Sequence, residues 1–334
     1  MISRIARSAY ARAVAINVLS LAAASLNPAD AAHTHRHARP AHHNASATRS
    51  NNGPVVAVLP GVLDANALAM PDQPFTLRSW DGTVETLRKR ALIRSPSWSA
   101  IMIDNTLLQS ACRDGLVQML PAPSAPSTSP SPCGIPAGQN SIVLAWDQRR
   151  ATVAPNWGDF WDVARHPGKR GLRLDPRSTL EIALLADGVP ASGVYATLST
   201  ADGVDRAFRK LDQLRPYIVW WRTPEDAARI MDNGSALMTS TPADELAGAE
   251  RKSGFAAQWH QSLRQNLSWA VPHNVPDADA RRVTGILREQ NPHHDDAPDN
   301  TTPDSGSLTI DDGFWTNHLD DLESRFQTWF NAKP

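Results

Sequence analysis

Between Asn156 and Gly188 the hydrophobic period changes twice, and few architectures accommodate that. Trp157, Phe160, Trp161 and Ala164 fall on one face at helical spacing behind Asn156, whose side chain can accept from the free N–H groups of a first turn. Pro167-Gly168 stops this helix. Gly171 to Leu174 then reads as a short strand, and Asp175-Pro176 hands over to a second apolar helix from about Ser178 to Ala186, closed by Gly188. Helix, strand and helix in so short a space call for a parallel sheet covered by helices. Asp175 becomes a carboxylate at the C-terminal end of a strand, where open α/β sheets place ligands.

The alternation extends in both directions. Val55 to Leu59, bounded by Gly53-Pro54 and Pro60-Gly61, is a buried strand, and a weak helix follows to about Met70. Phe75 to Trp80 is a second strand, Thr83 to Leu92 a charged helix, Ser99 to Ile103 a third strand, and Asp104 to Asp114 a helix ended by Gly115. Loops Leu59–Val62 and Asp104–Thr106 would then line a crevice. The strand Ser141 to Trp146 carries the chain from one lobe to the next, and Leu267 to Pro272 is the return crossing. In between, Val204, Ala207, Phe208, Leu211 and Leu214 form one helical stripe ended by Pro216, and Tyr217 to Trp221 is a strand. Thr223-Pro224-Glu225-Asp226 starts a helix that Gly234 closes; Ser235 to Thr241 is a strand, and Pro242 opens a helix to about Ser253. Asn291 to Ser307 is a loop. Asp311 or Asp312 caps a last helix whose Phe314, Trp315, His318, Leu319, Leu322, Phe326, Trp329 and Phe330 make a stripe that docks on a lobe.

A chain of 334 residues suggests about two domains. Its net charge of −1 carries no basic footprint for nucleic acid. No run reaches the ~18 to 20 apolar residues of a membrane span. Ala13 to Ala24 is shorter, lies behind Arg4, Arg7 and Arg12, and leads to Asp30-Ala31-Ala32. Residues 1–32 therefore read as a cleavable secretory signal, the alternative being an amphipathic helix. No cysteine stands near that point to take a lipid. Residues 33–52 read as a disordered His-rich linker; five histidines between His33 and His43 could instead hold a metal. His293, His294, Asp295 and Asp296 are a solvated loop more readily than a metal site, since adjacent residues rarely converge on one ion. In an exported chain Cys112 and Cys133 pair across the Pro/Ser-rich run Pro121 to Pro132. No Gly-x-Ser-x-Gly, phosphate loop or His-Glu-x-x-His is present, and no residue is assigned a catalytic role, so a hydrolase stands only as a contrasting class.

The runs Trp157-Gly-Asp-Phe-Trp-Asp, Pro167-Gly-Lys-Arg-Gly-Leu and Leu180-Glu-Ile-Ala-Leu-Leu-Ala-Asp-Gly-Val-Pro resemble the second lobe of periplasmic solute-binding proteins of ABC importers, the spermidine/putrescine type in particular. Tyr217-Ile-Val-Trp-Trp, Asp232-Asn-Gly-Ser-Ala-Leu-Met, Ser268-Trp-Ala-Val-Pro and Phe314-Trp-Thr-Asn-His with Arg325-Phe-Gln-Thr-Trp extend the likeness. It implies an α/β, two-lobed periplasmic-binding-protein-like fold of type II, each lobe a mostly parallel sheet flanked by helices and joined by hinge strands. Lobe 1 would take residues 53–142 and about 267–300, lobe 2 residues 143–266 and about 304–334. A monomeric periplasmic receptor is implied, without cofactor or bound metal, outside the membrane, that captures a cationic solute and delivers it to a permease.

By the same resemblance the solute would meet Asp175 and Asp104, and Asn105, Pro60, Gly61, Ser141, Trp221, Thr241, Asp244 and Trp269 stand beside them as further candidate contacts. Asp175, Asp104, Asp244 and Glu245 could equally be helix caps, and of Trp220 and Trp221 one would be core and the other would face the cleft. The family pattern breaks at Pro60-Gly61-Val62, at Ser178, at Thr239 to Pro242 and at Leu267, where acids or aromatics are expected. Each missing carboxylate removes a contact worth about 1.5–3 kcal/mol. Arg177 or Arg222 could instead hold an anion and turn specificity toward carboxylates. Two alternatives stay open: a metal-handling protein using the His-rich segment, and a degenerate receptor with an anionic or amino-acid-like ligand.

Overall fold

A computed structural model describes residues 53–60, 75–93, 96–121, 131–246, 254–290 and 306–332. The signal segment, the His-rich linker, Gly61, the helix to Met70, the helix to Ser253 and the His293–Asp296 run lie outside the described residues.

Strand β1 (Val55–Val58) pairs in parallel with β2 (Thr76–Ser79) on one side and with β3 (Ala100–Asp104) on the other. Every residue of β3 is buried, as a parallel strand covered on both faces requires. Helix α1 (Val84–Ala91) starts behind Thr83, whose hydroxyl accepts from the Thr86 N–H. Helix α2 (Asn105–Arg113) starts behind Asp104, whose carboxylate accepts from the Leu107 N–H at 2.8 Å. The chain then crosses on β4 (Ile135–Asp147). Cys112 at the end of α2 is bridged to Cys133 just before β4, with Cα atoms 5.9 Å apart.

The second lobe repeats the plan. After α3 (Trp157–Trp161), strand β5 (Arg170–Arg173) leads into α4 (Pro176–Ala186), α5 (Val194–Leu198) and α6 (Ala201–Leu214). β6 (Ile218–Trp221), α7 (Pro224–Asp232) and β7 (Met238–Pro242) follow, with β6 and β7 flanking β5 in parallel. β8 (Phe255–Ala270) returns to the first lobe, α8 (Asp277–Leu287) packs there, and β9 (Leu308–Thr309) precedes α9 (Asp312–Asn331). Hydrogen bonding runs through one nine-stranded sheet in the order β2-β1-β3-β8-β4-β7-β5-β6, with β9 beside β8. β3–β8, β8–β4 and β4–β7 are antiparallel. Two parallel-stranded lobes are thus spliced through β4 and β8.

Several elements depart from the reading above. The crossing strands begin at Ile135 rather than Ser141 and at Phe255 rather than Leu267. Gln258 to Asn266 is mostly polar and alternates poorly, and the β4–β8 register shifts between Ile142 and Leu144, near Gln261 with φ 60. Backbone pairing carries this strand where hydrophobic alternation does not. Helix α3 stops at Trp161, well before Pro167. The wholly buried Arg170 explains the early stop, because its guanidinium takes the carbonyls of Phe160, His166 and Gly168. Burial lowers that guanidinium to about 10. β7 starts at Met238 rather than Ser235 and runs through Pro242 into a short 3-10 turn, Ala243–Glu245, instead of a helix starting at Pro242. Helix α8, read as nothing in sequence, buries Ala280, Val283, Thr284 and Leu287, a stripe too small and too flanked by arginines to stand out.

One core fills the second lobe, with Trp157, Phe160, Leu184, Phe208 and Leu211 at its centre and Phe314, Trp315, Leu322 and Phe326 of α9 within it. At about 2 kcal/mol for each such side chain, α9 is an integral part of the lobe. In the first lobe, Val56, Met102, Trp269 and Val283 pack on one face of the sheet and Leu87, Ile101, Ile103 and Leu108 on the other.

Candidate functional site

Because the lobes are joined by antiparallel strands, the C-terminal tips of both sets of parallel strands turn toward one another. Pro60 after β1, Asp81 after β2 and Asp104 at the end of β3 face Arg173 of β5, Trp221 of β6 and Arg222 after it. With Asn140 of β4 and Gln265 of β8 they enclose an inner chamber of about 40 Å³. Gly82, Arg173 and Arg222 also border an outer groove of about 620 Å³, where α1 and α2 face Asp175, Arg177 and the α9 residues Leu319 and Glu323.

The charges in this seam are arranged unequally. Asp175 caps α4 through the Arg177 N–H at 2.8 Å and binds the Arg177 guanidinium at 2.9 Å (Nε) and 2.6 Å (Nη2), with Arg173 at 3.6 Å. Burial alone would raise the Asp175 carboxyl, but Arg177 and then Arg173 overcome it and hold it at about 2. Arg177 Nη1 also reaches Asp104 Oδ1 at 3.4 Å, from one lobe to the other. Burial pulls the Arg177 guanidinium down, and the two aspartates push it up by more. The backbone bends to allow this clasp: Arg177 has ψ 135 and Ser178 φ 66, so α4 does not become regular until after Ser178. A left-handed serine costs on the order of 1 kcal/mol or more and persists where surroundings impose it. Its Oγ is buried without a partner among the described residues.

Asp81 accepts from the Thr83 N–H and hydroxyl and from the Thr86 hydroxyl at 2.6–3.0 Å. Trp221 is buried, its Nε1–H donating to Ser240 Oγ at 3.2 Å. Arg222 is exposed, and no carboxylate pairs with its guanidinium among the described residues. Of the four charged groups that border the chamber, Asp81, Asp104, Arg173 and Arg222, the Arg222 guanidinium alone has no hydrogen-bond or ion-pair partner among the described residues.

Of the residues named from sequence, Pro60, Asp104 and Trp221 line the inner chamber and Asp175 the outer groove. Asn105 lies elsewhere: its amide donates to Asp312 and its Oδ1 accepts from Ser268, tying α2 to α9 and β8. Ser141 and Thr241 are buried in β4 and β7, Asp244 sits in the 3-10 turn, and Trp269 packs inside the first lobe's core. None of these five lines either cavity. Trp220 packs against Phe326, Trp329 and Phe330 of α9. The cavities add Asp81, Arg173, Asn140 and Gln265. Asp81-Gly82 directly after the strand β2 was a usable signal for the first; Asn140 and Gln265 lie in the unread extensions of the crossing strands. Among the described residues no group of three or more His, Cys, Asp or Glu side chains is arranged to hold a metal ion.

The profile of a family described as bacterial extracellular solute-binding protein matches residues 76–284. The gamma-aminobutyric acid-binding protein of Pseudomonas aeruginosa is 31% identical over 284 residues, 75% of this chain and 80% of that protein. Among solved structures, the PBP MotA from A. tumefaciens in complex with glucopine is similar with a TM-score of 0.69 at 22% identity, covering 83% of this chain and 99% of that one. A spermidine/putrescine ABC transporter substrate-binding protein from Streptococcus pneumoniae gives 0.58 at 13% identity, covering 83% and 100%.

Proposed function

The chain belongs to the bacterial extracellular solute-binding protein family, and on that premise we propose that it is the exported receptor of an ABC importer, taking an amino-acid-like solute rather than a polyamine. The observation that carries this reading is the pair Arg173 and Arg222 on neighbouring strand tips, with no carboxylate paired to the Arg222 guanidinium among the described residues. A guanidinium offers paired donors matched to a carboxylate. The acids of the seam are largely committed, Asp175 to Arg177 and Asp81 to its threonines. A polyamine would need several free acids and would meet Arg222 as a like charge. The relative that binds gamma-aminobutyric acid supports the same class, a carboxylate and an amino group on a short chain. Trp221 gives that chain an aromatic wall.

Thermal-shift and calorimetric titrations of the purified protein test it, with gamma-aminobutyrate, 5-aminovalerate, glutarate, putrescine and spermidine as probes. An ω-amino acid present at about 100 times its Kd adds about 2.7 kcal/mol and raises Tm by several degrees. Arg222→Ala weakens that binding by roughly ten-fold, the loss of one charge-assisted contact. Stabilisation by putrescine or spermidine with no response to any carboxylate overturns the reading.

A further inference from the structure

Asn140 of β4 and Gln265 of β8 stand directly opposite each other in the register of the two crossing strands, and both border the inner chamber. Asn140 is 4% exposed, and its Oδ1 accepts no hydrogen bond among the described residues. Buried amide oxygens are nearly always paired, so an unpaired one on a residue that lines a cavity is a place held for a donor. Asp104 borders the same chamber. The Leu107 N–H and the Arg177 guanidinium both reach its Oδ1, leaving Oδ2 bound by neither. Two residues with an acceptor left over thus border a space that admits a single small polar group, while the donors Arg173 and Arg222 border it from the opposite lobe.

The geometry points to a nitrogen-binding subsite on the floor of the cleft, in which Asn140 Oδ1 and Asp104 Oδ2 accept from the amino group of the solute, with Gln265 beside them. This deepens the proposed function and rests on its reading of the cleft as a solute site. Its consequence is positional. The arginine pole lies on strand tips of the second lobe, whereas the amide pole lies on the two strands that join the lobes. Solutes are then selected by the spacing between amino group and carboxylate, and the nitrogen is gripped where the lobes pivot. No acid of the seam has to give up its arginine for this, since Asp175 stays with Arg177.

Two substitutions test the subsite by calorimetry, with gamma-aminobutyrate, putrescine and glutarate as probes and circular-dichroism melts to verify folding. Asn140→Leu removes the acceptor at similar volume; Asn140→Asp keeps the shape, adds a charge and serves alone if the leucine variant does not fold. The expected result is gamma-aminobutyrate binding that falls about ten-fold or more in Asn140→Leu and tightens in Asn140→Asp. Affinity unchanged within two-fold in both variants overturns the subsite and leaves the proposed function standing. Putrescine bound in place of gamma-aminobutyrate, and weakened by Asn140→Leu, supports the subsite and overturns the carboxylate reading. Binding of glutarate alone, or of none of the three, overturns both.

Discussion

Replacing Arg177 by Met removes a guanidinium from between two carboxylates while leaving an unbranched side chain to fill the space. In the native chain that group is 9% exposed and donates to Asp175 at 2.6–2.9 Å and to Asp104 at 3.4 Å. Methionine leaves Asp175 with Arg173 at 3.6 Å and the backbone N–H of position 177. The size of the loss follows from the acid itself. Its carboxyl stands at about 2 against an ordinary 3.8, burial working upward and Arg177 being the leading force downward. At about 1.4 kcal/mol per unit, that shift corresponds to roughly 2–3 kcal/mol, just below the ~3–5 kcal/mol for removing one partner of a buried pair. We expect a loss of about 3 kcal/mol at pH 7. The sign fixes its pH dependence: an acid whose folded pKa is depressed stabilises fully above its ordinary value, and loses that contribution as pH falls from about 4 to 2. The variant lacks the contribution at every pH, so its deficit shrinks to about 1 kcal/mol near pH 2.5. Urea denaturation followed by tryptophan fluorescence from pH 7 down to 2.5 reads both quantities. A deficit below about 1 kcal/mol at neutral pH, or one that does not change with pH, refutes the argument.

Glu181 is fully buried, accepts from Tyr195 OH at 3.0 Å and Trp315 Nε1 at 2.7 Å, and burial raises its carboxyl from 4.5 to about 7. The folded chain therefore keeps a proton that the unfolded chain releases, and stability falls as pH rises from about 4.5 to 7. Glu181→Gln removes that decline, so the variant gains on the native chain by up to on the order of 3 kcal/mol across this window, and a Tm difference that is flat with pH contradicts it. Replacing Cys112 and Cys133 by Ser opens a bridge spanning 21 positions and costs about 3 kcal/mol, seen as a lower urea midpoint that dithiothreitol no longer shifts. In Gly171→Ala the new Cβ would lie 2.0 Å from Thr239 Oγ1 and 2.6 Å from Thr239 Cβ, forcing β5 and β7 apart at a cost of about 1–3 kcal/mol. A Tm within a degree of the native value refutes that close approach.

What the chain declares locally is borne out locally. Thr223 caps α7 with a full capping box, Asp311 caps α9, and the stripe of α6 buries Val204, Ala207, Phe208, Leu211 and Leu214. Each depends on residues a few positions apart, and helical period and cap chemistry act over that range. The strand tip that carries Asp175 was readable for the same reason. Arg173 carried no comparable mark, because its place at the chamber comes from standing beside Trp221 in the register of a strand far along the chain.

The cleft itself was decided by tertiary structure. Asn140 meets Gln265, and Asp104 meets Arg177, only once β4 and β8 have paired antiparallel between two parallel sheets. The pairing of β4 with β8 rests on backbone N–H and C=O groups that every residue but proline supplies, so polar segments such as Gln258 to Asn266 bear no sign of it. Side-chain pattern thus determined the lobes' helices and inner strands, and non-local backbone pairing determined which charged and amide groups border the same small chamber.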